Sequence, residues 1–331
     1  MGKKDIALVR YFEDEERYAD LINGFVFGGK AVVRAEDIME KNAVTTGIVK
    51  RLKKRLTFQK YRDMIRKVVL NADFVLIGLE NQDEVHYAMP VRVMLMDAAG
   101  YDEQMRRIQR MHRKKRDLRG AEYLGGFSRT DRLRPVITLV LYYGSEPWDG
   151  PRDLQGLMEY GNLPEGMTQM VGNYGIHVLE IKRFEHISAF KSDLYQVFGF
   201  LQRTGDKTAE KEFTFQNQKL FENMEEDAYD VIAALSGSKE LEEAKNRYRK
   251  EGGTINMCEA IRGMIEDGRR EGIREGIRKG IQRGIFTGRM EKSRTIARNM
   301  FLRGMGAEDT AAICEEDVEV VKAWFREWRG K

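Results

Sequence analysis

The chain has few residues of the kinds that form metal clusters or disulfide frameworks. Its 331 residues include two cysteines and four histidines. Cys258 and Cys314 are far apart, and neither belongs to a CxxC or Cys/His pattern. This spacing argues against structural zinc and against a disulfide-stapled fold. The histidines are also too scattered along the sequence to predict a metal cluster.

Long apolar segments are missing as well. No run of about 18 apolar residues occurs, so we expect no membrane-spanning helix and no membrane partner. The opening residues, from Met1 to Asp5, contain no apolar stretch like that of a secretory signal peptide. We therefore expect a cytoplasmic protein.

The composition predicts a folded and highly charged protein. Hydrophobic residues make up 42% of the chain, charged residues make up 33%, and the net charge is +4. A chain of 331 residues is longer than one typical compact domain, so we expect one domain with additional segments. Changes in composition along the sequence, together with a four-residue repeat, divide the chain into four parts. These are an α/β domain (1–204), an appended helical region (205–251), a four-residue repeat helix or linker (252–290) and a small helical tail (291–331).

Two apolar segments rich in β-branched residues, at 65–70 and 74–79, predict a β-hairpin. A two-residue turn at Asn71 and Ala72 would pair residues whose numbers sum to 143. A four-residue loop keeps this sum. A three-residue loop would shift the register by one residue and would place the two acids on opposite faces of the sheet.

With an even loop, the hairpin places two carboxylates opposite each other. Asp63 and Glu80 sum to 143, and Gln82 shares the face of Glu80. Opposed like charges disfavour a sheet, so a divalent cation between them is the natural compensation. The alternative is that Asp63 is a solvated residue at a strand start and that Glu80 and Gln82 are polar residues entering a turn.

Further elements predict an α/β fold. An amphipathic helix is expected at 13–25 and a long helix after Pro90. The near-continuous apolar run at 136–142 predicts a strand buried on both faces, as in a mixed sheet with helices packed on it. Another strand is expected at 175–181.

Basic residues are clustered on both sides of the hairpin. Such clusters attract the phosphates of DNA without reading its sequence, although each cluster alone is equally explained as a solvated helix face. The candidates for nucleic-acid binding are Lys53, Lys54, Arg55, Arg113, Lys114 and Lys115.

The segment from Gly78 to Asp97 contains Glu80-Asn-Gln82 and ends with the run Met89-Pro-Val-Arg-Val-Met-Leu-Met-Asp97. It resembles the signature of the Rpn family of recombination-promoting, transposase-like nucleases in the PD-(D/E)XK superfamily. The segments 11–29 and 135–148 are also similar to that family. The resemblance implies a PD-(D/E)XK restriction-endonuclease-like core in residues 1–204, a mixed sheet flanked by helices, with an α-helical C-terminal region.

The same resemblance implies a DNA endonuclease that uses Mg²⁺, or Mn²⁺, in recombination or in association with mobile elements. We expect double-stranded DNA as the partner, although no sequence feature distinguishes it from single-stranded DNA. Asp63 and Glu80 would hold the ion, which polarises the scissile phosphate and lowers the pKa of bound water. Gln82 stands where many members have a lysine, and its amide could orient water or a ligand. The alternative function is an inactive nuclease fold that binds nucleic acid or assembles.

A third acid on the first helix often completes the metal site in that superfamily. Asp20 matches its position, and Asp14 and Glu16 are close alternatives.

From Gly268 to Gly288, glycine recurs every four residues and isoleucine follows most of these glycines. On an α-helix the two stripes wind around the axis. Six glycines destabilise a helix by about 1 kcal/mol each relative to alanine, so this helix needs a partner. It is interpreted as a homo-oligomerisation stalk, a basic nucleic-acid strap, or a tolerated repeat expansion in a linker. The tail beyond it outlines a helix-turn-helix, but its acidic run at 315–319 favours a packing role over DNA binding.

Overall fold

The computed structural model describes residues 2–40, 64–70 and 73–330. They form two compact units, Met1–Ile261 and Arg262–Lys331. The strands are β1 (Ile38–Glu40), β2 (Met64–Leu70), β3 (Asp73–Gln82), β4 (Val136–Tyr142) and β5 (His177–Glu180). The helices up to the middle of the chain are α1 (Lys3–Tyr11), α2 (Glu15–Phe27), α3 (Met89–Lys115), α4 (Gly120–Gly125), α5 (Glu165–Thr168) and α6 (Leu194–Leu201). The later helices are α7 (Lys207–Gln216), α8 (Gln218–Phe221), α9 (Glu226–Ser236), α10 (Lys239–Ala244), α11 (Met257–Leu302), α12 (Ala307–Cys314) and α13 (Val318–Arg329).

The strands form one mixed sheet in the order β1-β2-β3-β4-β5. β1, β2 and β3 are antiparallel neighbours, and β3, β4 and β5 are parallel neighbours. A parallel pair requires a crossover connection, and α3 provides it between β3 and β4. The predicted α/β class, with a mixed sheet flanked by helices, is confirmed.

The register of the hairpin is the predicted one wherever it is described. Met64 pairs with Leu79 and Leu70 pairs with Asp73, and both pairs sum to 143. Asp63 and the turn residues at 71 and 72 lie outside the described residues, as do Lys53, Lys54 and Arg55 of the first basic cluster.

Capping residues define both ends of α2. The side chain of Asp14 accepts a hydrogen bond from the backbone N–H of Arg17 (2.9 Å), which satisfies one of the free donors of the first turn. The helix ends at Gly28, whose φ of 61° lies in the left-handed region that favours glycine. The predicted helix at 13–25 therefore exists, shifted by two residues.

The two faces of the sheet carry different helices. Arg66 donates to the backbone carbonyl of Glu13 (3.0 Å), just before α2, and it pairs with Ile77 of β3. Glu80 is three residues beyond Ile77, so its side chain points to the other face. Thr138 of β4 donates to Asp97 of α3 (2.7 Å), which places α3 on that second face.

The apolar core beneath α3 involves the parallel strands β4 and β5. Met89 and Val93 of α3 pack with Val140 of β4, Val178 of β5 and Trp148. All but one of the residues of β4 are buried, as predicted for a strand covered on both faces. Glu80 is the partner of Val140 in the β3–β4 ladder, so it lies next to this core.

The segment after residue 205 packs on the first unit. α9 contacts both α1 and α6, and α10 contacts α9. Ala228, Val231 and Ile232 of α9 are almost wholly buried. The helices at 205–251 thus share the core of the first unit.

The second unit has its own small core. Phe325 and Val321 of α13 pack with Ala311 of α12 and with Phe301 near the end of α11. α11 and α12 are separated at the glycines where the sequence predicted a break, and Gly304 has a φ of 77°. None of the helices in the described part of the chain is both long enough and apolar enough to cross a membrane.

Candidate functional site

Glu80 is near the C-terminal end of β3 and is fully buried. Gln82 lies two residues further along the strand and therefore on the same face. Its side-chain amide donates to Glu80 Oε1 (3.1 Å) and to the backbone carbonyl of Asn81 (2.7 Å). The structure thus brings together two of the predicted site residues in the described part of the chain.

Arg92 forms an ion pair with Glu80 through its Nη2 atom and Glu80 Oε1. It belongs to the first turn of α3, between Met89 and Val93, which are both buried against the sheet. The side chain of Arg92 is 25% exposed and that of Glu80 is 1% exposed. A buried carboxylate is tolerated when a cation and further donors compensate it, and Arg92 and Gln82 do this here.

Sequence reasoning missed this role of Arg92. The available signal was an arginine within an apolar helical stripe, at the spacing that places Met89, Arg92, Val93 and Met96 on one face. An arginine in such a stripe requires an acidic partner when the stripe packs on a sheet.

Asp20, the predicted helix acid, has a different environment. Its carboxylate accepts hydrogen bonds from the backbone N–H of Lys191 (3.0 and 2.8 Å), the backbone N–H of Ser192 (2.7 Å) and the hydroxyl of Ser192 (2.7 Å). These contacts hold the loop before α6 against α2. The described hydrogen bonds of Asp20 are to Lys191 and Ser192, whereas the described contacts of Glu80 are with Gln82 and Arg92, so none of these contacts joins the two carboxylates.

A second carboxylate fixes the same loop. Asp193 accepts hydrogen bonds from the hydroxyl of Tyr11 (2.7 Å) and from Nε and Nη2 of Arg17 (3.0 and 2.9 Å). Burial, followed by the charge of Asp193, raises the pKa of Tyr11 well above its ordinary value. α2 therefore holds residues 191–193 through two independent carboxylates. Of the alternatives to Asp20, Asp14 caps α2 and Glu16 is exposed.

The fit of these residues to a divalent ion is incomplete. The described residues contain no group of three His, Cys, Asp or Glu side chains able to hold a metal ion. Mg²⁺ prefers oxygen ligands in an octahedral arrangement, whereas the oxygen of Glu80 nearest to Gln82 already contacts the guanidinium of Arg92. Among the described residues, the cation that contacts Glu80 is the guanidinium of Arg92.

The second basic cluster lies at the C-terminal end of α3. Arg113, Lys114 and Lys115 are exposed and form no ion pair with a described residue. Cations at this end also interact favourably with the helix dipole. They are available to an anionic partner at the surface.

His112 precedes this cluster and is held between two acids. Its Nδ1 is 2.7 Å from Asp117 Oδ1, and its Nε2 is 2.8 Å from Asp131 Oδ2. Hydrogen bonds to these carboxylates raise the pKa of His112. The hydrogen bond from His112 lowers the pKa of Asp117, and the backbone N–H of Ser128 is the main cause of the lowered pKa of Asp131. This Asp117–His112–Asp131 clasp ties the end of α3 to the loop before β4.

No protein-family model, curated protein or solved structure matches this chain. The chemistry of the site therefore has to be argued from its own residues. Glu80 and Gln82 offer a carboxylate and an amide at one end of β3, with Arg92 as the adjacent cation.

Proposed function

We propose that the chain is a metal-dependent endonuclease that hydrolyses phosphodiester bonds in double-stranded DNA and has a PD-(D/E)XK-like core. The observation that carries the proposal is the hydrogen-bonded pair of Glu80 and Gln82 on one face of β3, in a hairpin whose described register is the one that aligns position 80 with position 63. The order of α2, three antiparallel strands, α3 and a parallel strand also agrees with such a core.

The buried position of Glu80 supports a specific role for this acid. A carboxylate inside the protein costs free energy unless it is compensated, and a solvated strand-end residue would not incur this cost. The interpretation of Glu80 as a polar residue entering a turn is therefore the weaker one. Asp63 would add the second carboxylate, and Mg²⁺ or Mn²⁺ would be the expected ion.

The exposed cations at the end of α3 support a polyanionic partner. Lysine and arginine side chains attract the DNA backbone through counterion release, without selecting a sequence. Replacement of Arg113, Lys114 and Lys115 together by glutamine should weaken DNA binding and reduce its salt dependence, since each phosphate contact contributes about 0.9 to the slope. A gel-shift titration at several salt concentrations measures both effects.

Conversion of supercoiled plasmid to nicked or linear DNA tests the function. We expect conversion by the full chain with Mg²⁺ or Mn²⁺, none with chelator, and a large loss in Glu80→Gln. Glu84→Gln is the matched control, because Glu84 is an exposed acid just beyond the same strand. Plasmid cutting that is independent of metal, or equal in Glu80→Gln and the native chain, would contradict the proposal.

A second function, assembly, is favoured by the exposed ridge on α11. Ile273, Ile277, Ile281 and Ile285 are each more than half exposed. The repeat glycines have open space where a Cβ atom would stand. Glycine and isoleucine stripes of this kind permit close approach of another helix. We propose that a second copy covers this ridge.

Light scattering coupled to size-exclusion chromatography tests the assembly. Ile277→Ser with Ile281→Ser should lower the molecular mass in solution, whereas Lys279→Ala, at an exposed position about 160° around the helix from both isoleucines, should not. A native chain that is monomeric at all concentrations would remove the assembly proposal and leave the nuclease proposal intact.

A further inference from the structure

The connection between α3 and β4 (116–135) is fixed on α3. The clasp at His112 binds it near both ends, through the carboxylates of residues 117 and 131. Close to β4, the side-chain amide of Gln104 donates to the backbone carbonyl of Arg134 (3.0 Å) and accepts from its N–H (2.7 Å). These bonds give the connection a defined shape, so the side chains on its outer turn have fixed positions.

The outer turn of the α3–β4 connection exposes two large apolar side chains. Tyr123 and Leu124, which are adjacent on α4, are 72% and 87% exposed. Their backbone is held in place, because Gln109 of α3 donates to the carbonyl of Gly125 (3.1 Å) and α4 ends at Gly126, whose φ is 64°. Exposed apolar area costs free energy in water, so a fixed turn that presents an adjacent pair is a candidate contact surface.

The surroundings of this apolar pair are strongly basic. Residues 110–134 include nine basic and three acidic side chains. All three acids are engaged in hydrogen bonds: Asp117 and Asp131 form the clasp, and Glu122 accepts from the backbone N–H of Arg129 (2.9 Å). The positive charge is therefore left for an anionic partner. Besides the cluster at 113–115, its exposed carriers are Arg116, Arg119, Arg129 and Arg132.

A second exposed apolar pair shows what is particular about the first. Met167 and Met170 are 58% and 84% exposed, but the segment that contains them, 153–181, has four acids and no lysine or arginine. Such a surface repels phosphates, whereas Tyr123 and Leu124 lie in a basic segment. Exposed aromatic and apolar side chains with basic neighbours are typical of surfaces that bind unpaired nucleic acid.

We propose that the α3–β4 connection binds DNA where the bases are unpaired or unstacked. Its basic side chains contact phosphates without reading sequence. Tyr123 and Leu124 contact base faces, since aromatic rings stack on any base and leucine side chains insert between base steps. His112 is twenty residues from Arg92, about 30 Å along the axis of α3, so this contact is separate from the candidate site. The inference rests on the proposed DNA partner and not on cleavage.

Fluorescence anisotropy of two labelled duplexes tests the proposal, with chelator present so that binding is measured without cutting. One duplex is fully paired, and the other has the same length and a short central bubble of mismatched bases. The native chain should bind the bubbled duplex about tenfold more tightly, which is the size of effect that one stacked base supplies. Tyr123→Ser with Leu124→Ser should abolish this preference and leave the affinity for the paired duplex nearly unchanged.

Three further variants separate the roles of the ring, the apolar pair and the charge. Tyr123→Phe keeps the ring and should keep the preference. Met167→Ser with Met170→Ser, the matched exposed pair, should also keep it. Arg119→Gln with Arg129→Gln should weaken the binding of both duplexes and reduce its salt dependence, while the preference remains.

A fluorescent base analogue placed in the bubble gives a readout on the native chain that does not depend on the folding of any variant. Its emission should change when the chain binds, because a side chain stacks on it. An unchanged emission would overturn the proposal.

Equal affinities of the native chain for the two duplexes, or a preference that survives in Tyr123→Ser with Leu124→Ser, would also overturn it. So would binding to vesicles that contain phosphatidylserine but to neither duplex, which would assign the surface to an anionic membrane. A bubble preference in a chain that cuts no plasmid would remove the nuclease function and keep this inference, whereas cutting without a preference would do the reverse.

Discussion

Asp20 is the residue for which family resemblance and structure make different predictions. As a metal ligand, Asp20 could be replaced by asparagine with loss of cleavage and little loss of stability. As the anchor of the loop before α6, it should be needed for stability itself. The substitution Asp20→Asn distinguishes the two roles, because asparagine has nearly the same shape and lacks the charge.

The expected loss can be worked out from its contacts. Asp20 is 8% exposed and accepts hydrogen bonds from three donor groups, Lys191 N, Ser192 N and the Ser192 hydroxyl. A hydrogen bond to a charged group contributes about 1 kcal/mol more than a neutral one. With three such bonds weakened, Asp20→Asn should lower the free energy of unfolding by about 3 kcal/mol. This corresponds to a fall of about 5–10 °C in the unfolding midpoint.

The assay is thermal unfolding in chelator, followed by circular dichroism. Asp14→Asn is the control, since asparagine and aspartate cap a helix about equally well, and its midpoint should stay near that of the native chain. An unchanged midpoint for Asp20→Asn, together with lost plasmid cutting, would refute the structural role and favour the metal role.

Three further predictions concern other parts of the chain. His112→Gln should lower the unfolding midpoint more at pH 6 than at pH 8.5: the pKa of His112 is raised above its ordinary 6.5 in the folded state, so the clasp stabilises fully below 6.5 and loses its contribution as the pH rises through the raised pKa. Equal losses at both pH values would contradict this. Gly24→Ala should destabilise by about 1–3 kcal/mol, because its Cβ would stand 2.3 Å from the Phe190 ring, whereas Gly268→Ala, with open space, should gain about 1 kcal/mol in denaturant unfolding. Phe325→Ala should cost the second unit about 3–5 kcal/mol, which limited proteolysis would detect as earlier cleavage there.

The fold was predictable where the pattern of the sequence has one dominant physical cause. The strand at 136–142 coincides with β4, because a continuous apolar run of this length can be buried only inside a layered structure. The hairpin register was predictable from the loop length: a two-residue turn at 71 and 72 pairs residues whose numbers sum to 143, whereas a three-residue loop would have shifted the register by one. The break before α12 followed from glycines at 304 and 306.

The contacts of the site were not predictable in the same way. Asp20 finds its donors at Lys191 and Ser192, about half the chain away, and no local pattern specifies such a contact. Arg92 pairs with Glu80 because of how α3 crosses the sheet, which depends on the packing of Met89 and Val93. Ion pairs between elements are consequences of the fold, whereas strands and helices follow from local preference.

The alignment of Asp63 with Glu80 is the central claim, and the initial rate of plasmid nicking in Mg²⁺ tests it most directly. Asp63→Asn and Glu80→Gln are compared singly and together. If both acids hold one ion, the nicking rate of each single variant should be at least about 100-fold below the native rate. The double variant should then be no slower than the slower single variant. Native-like nicking by Asp63→Asn, or losses that multiply in the double variant, would contradict a shared metal site.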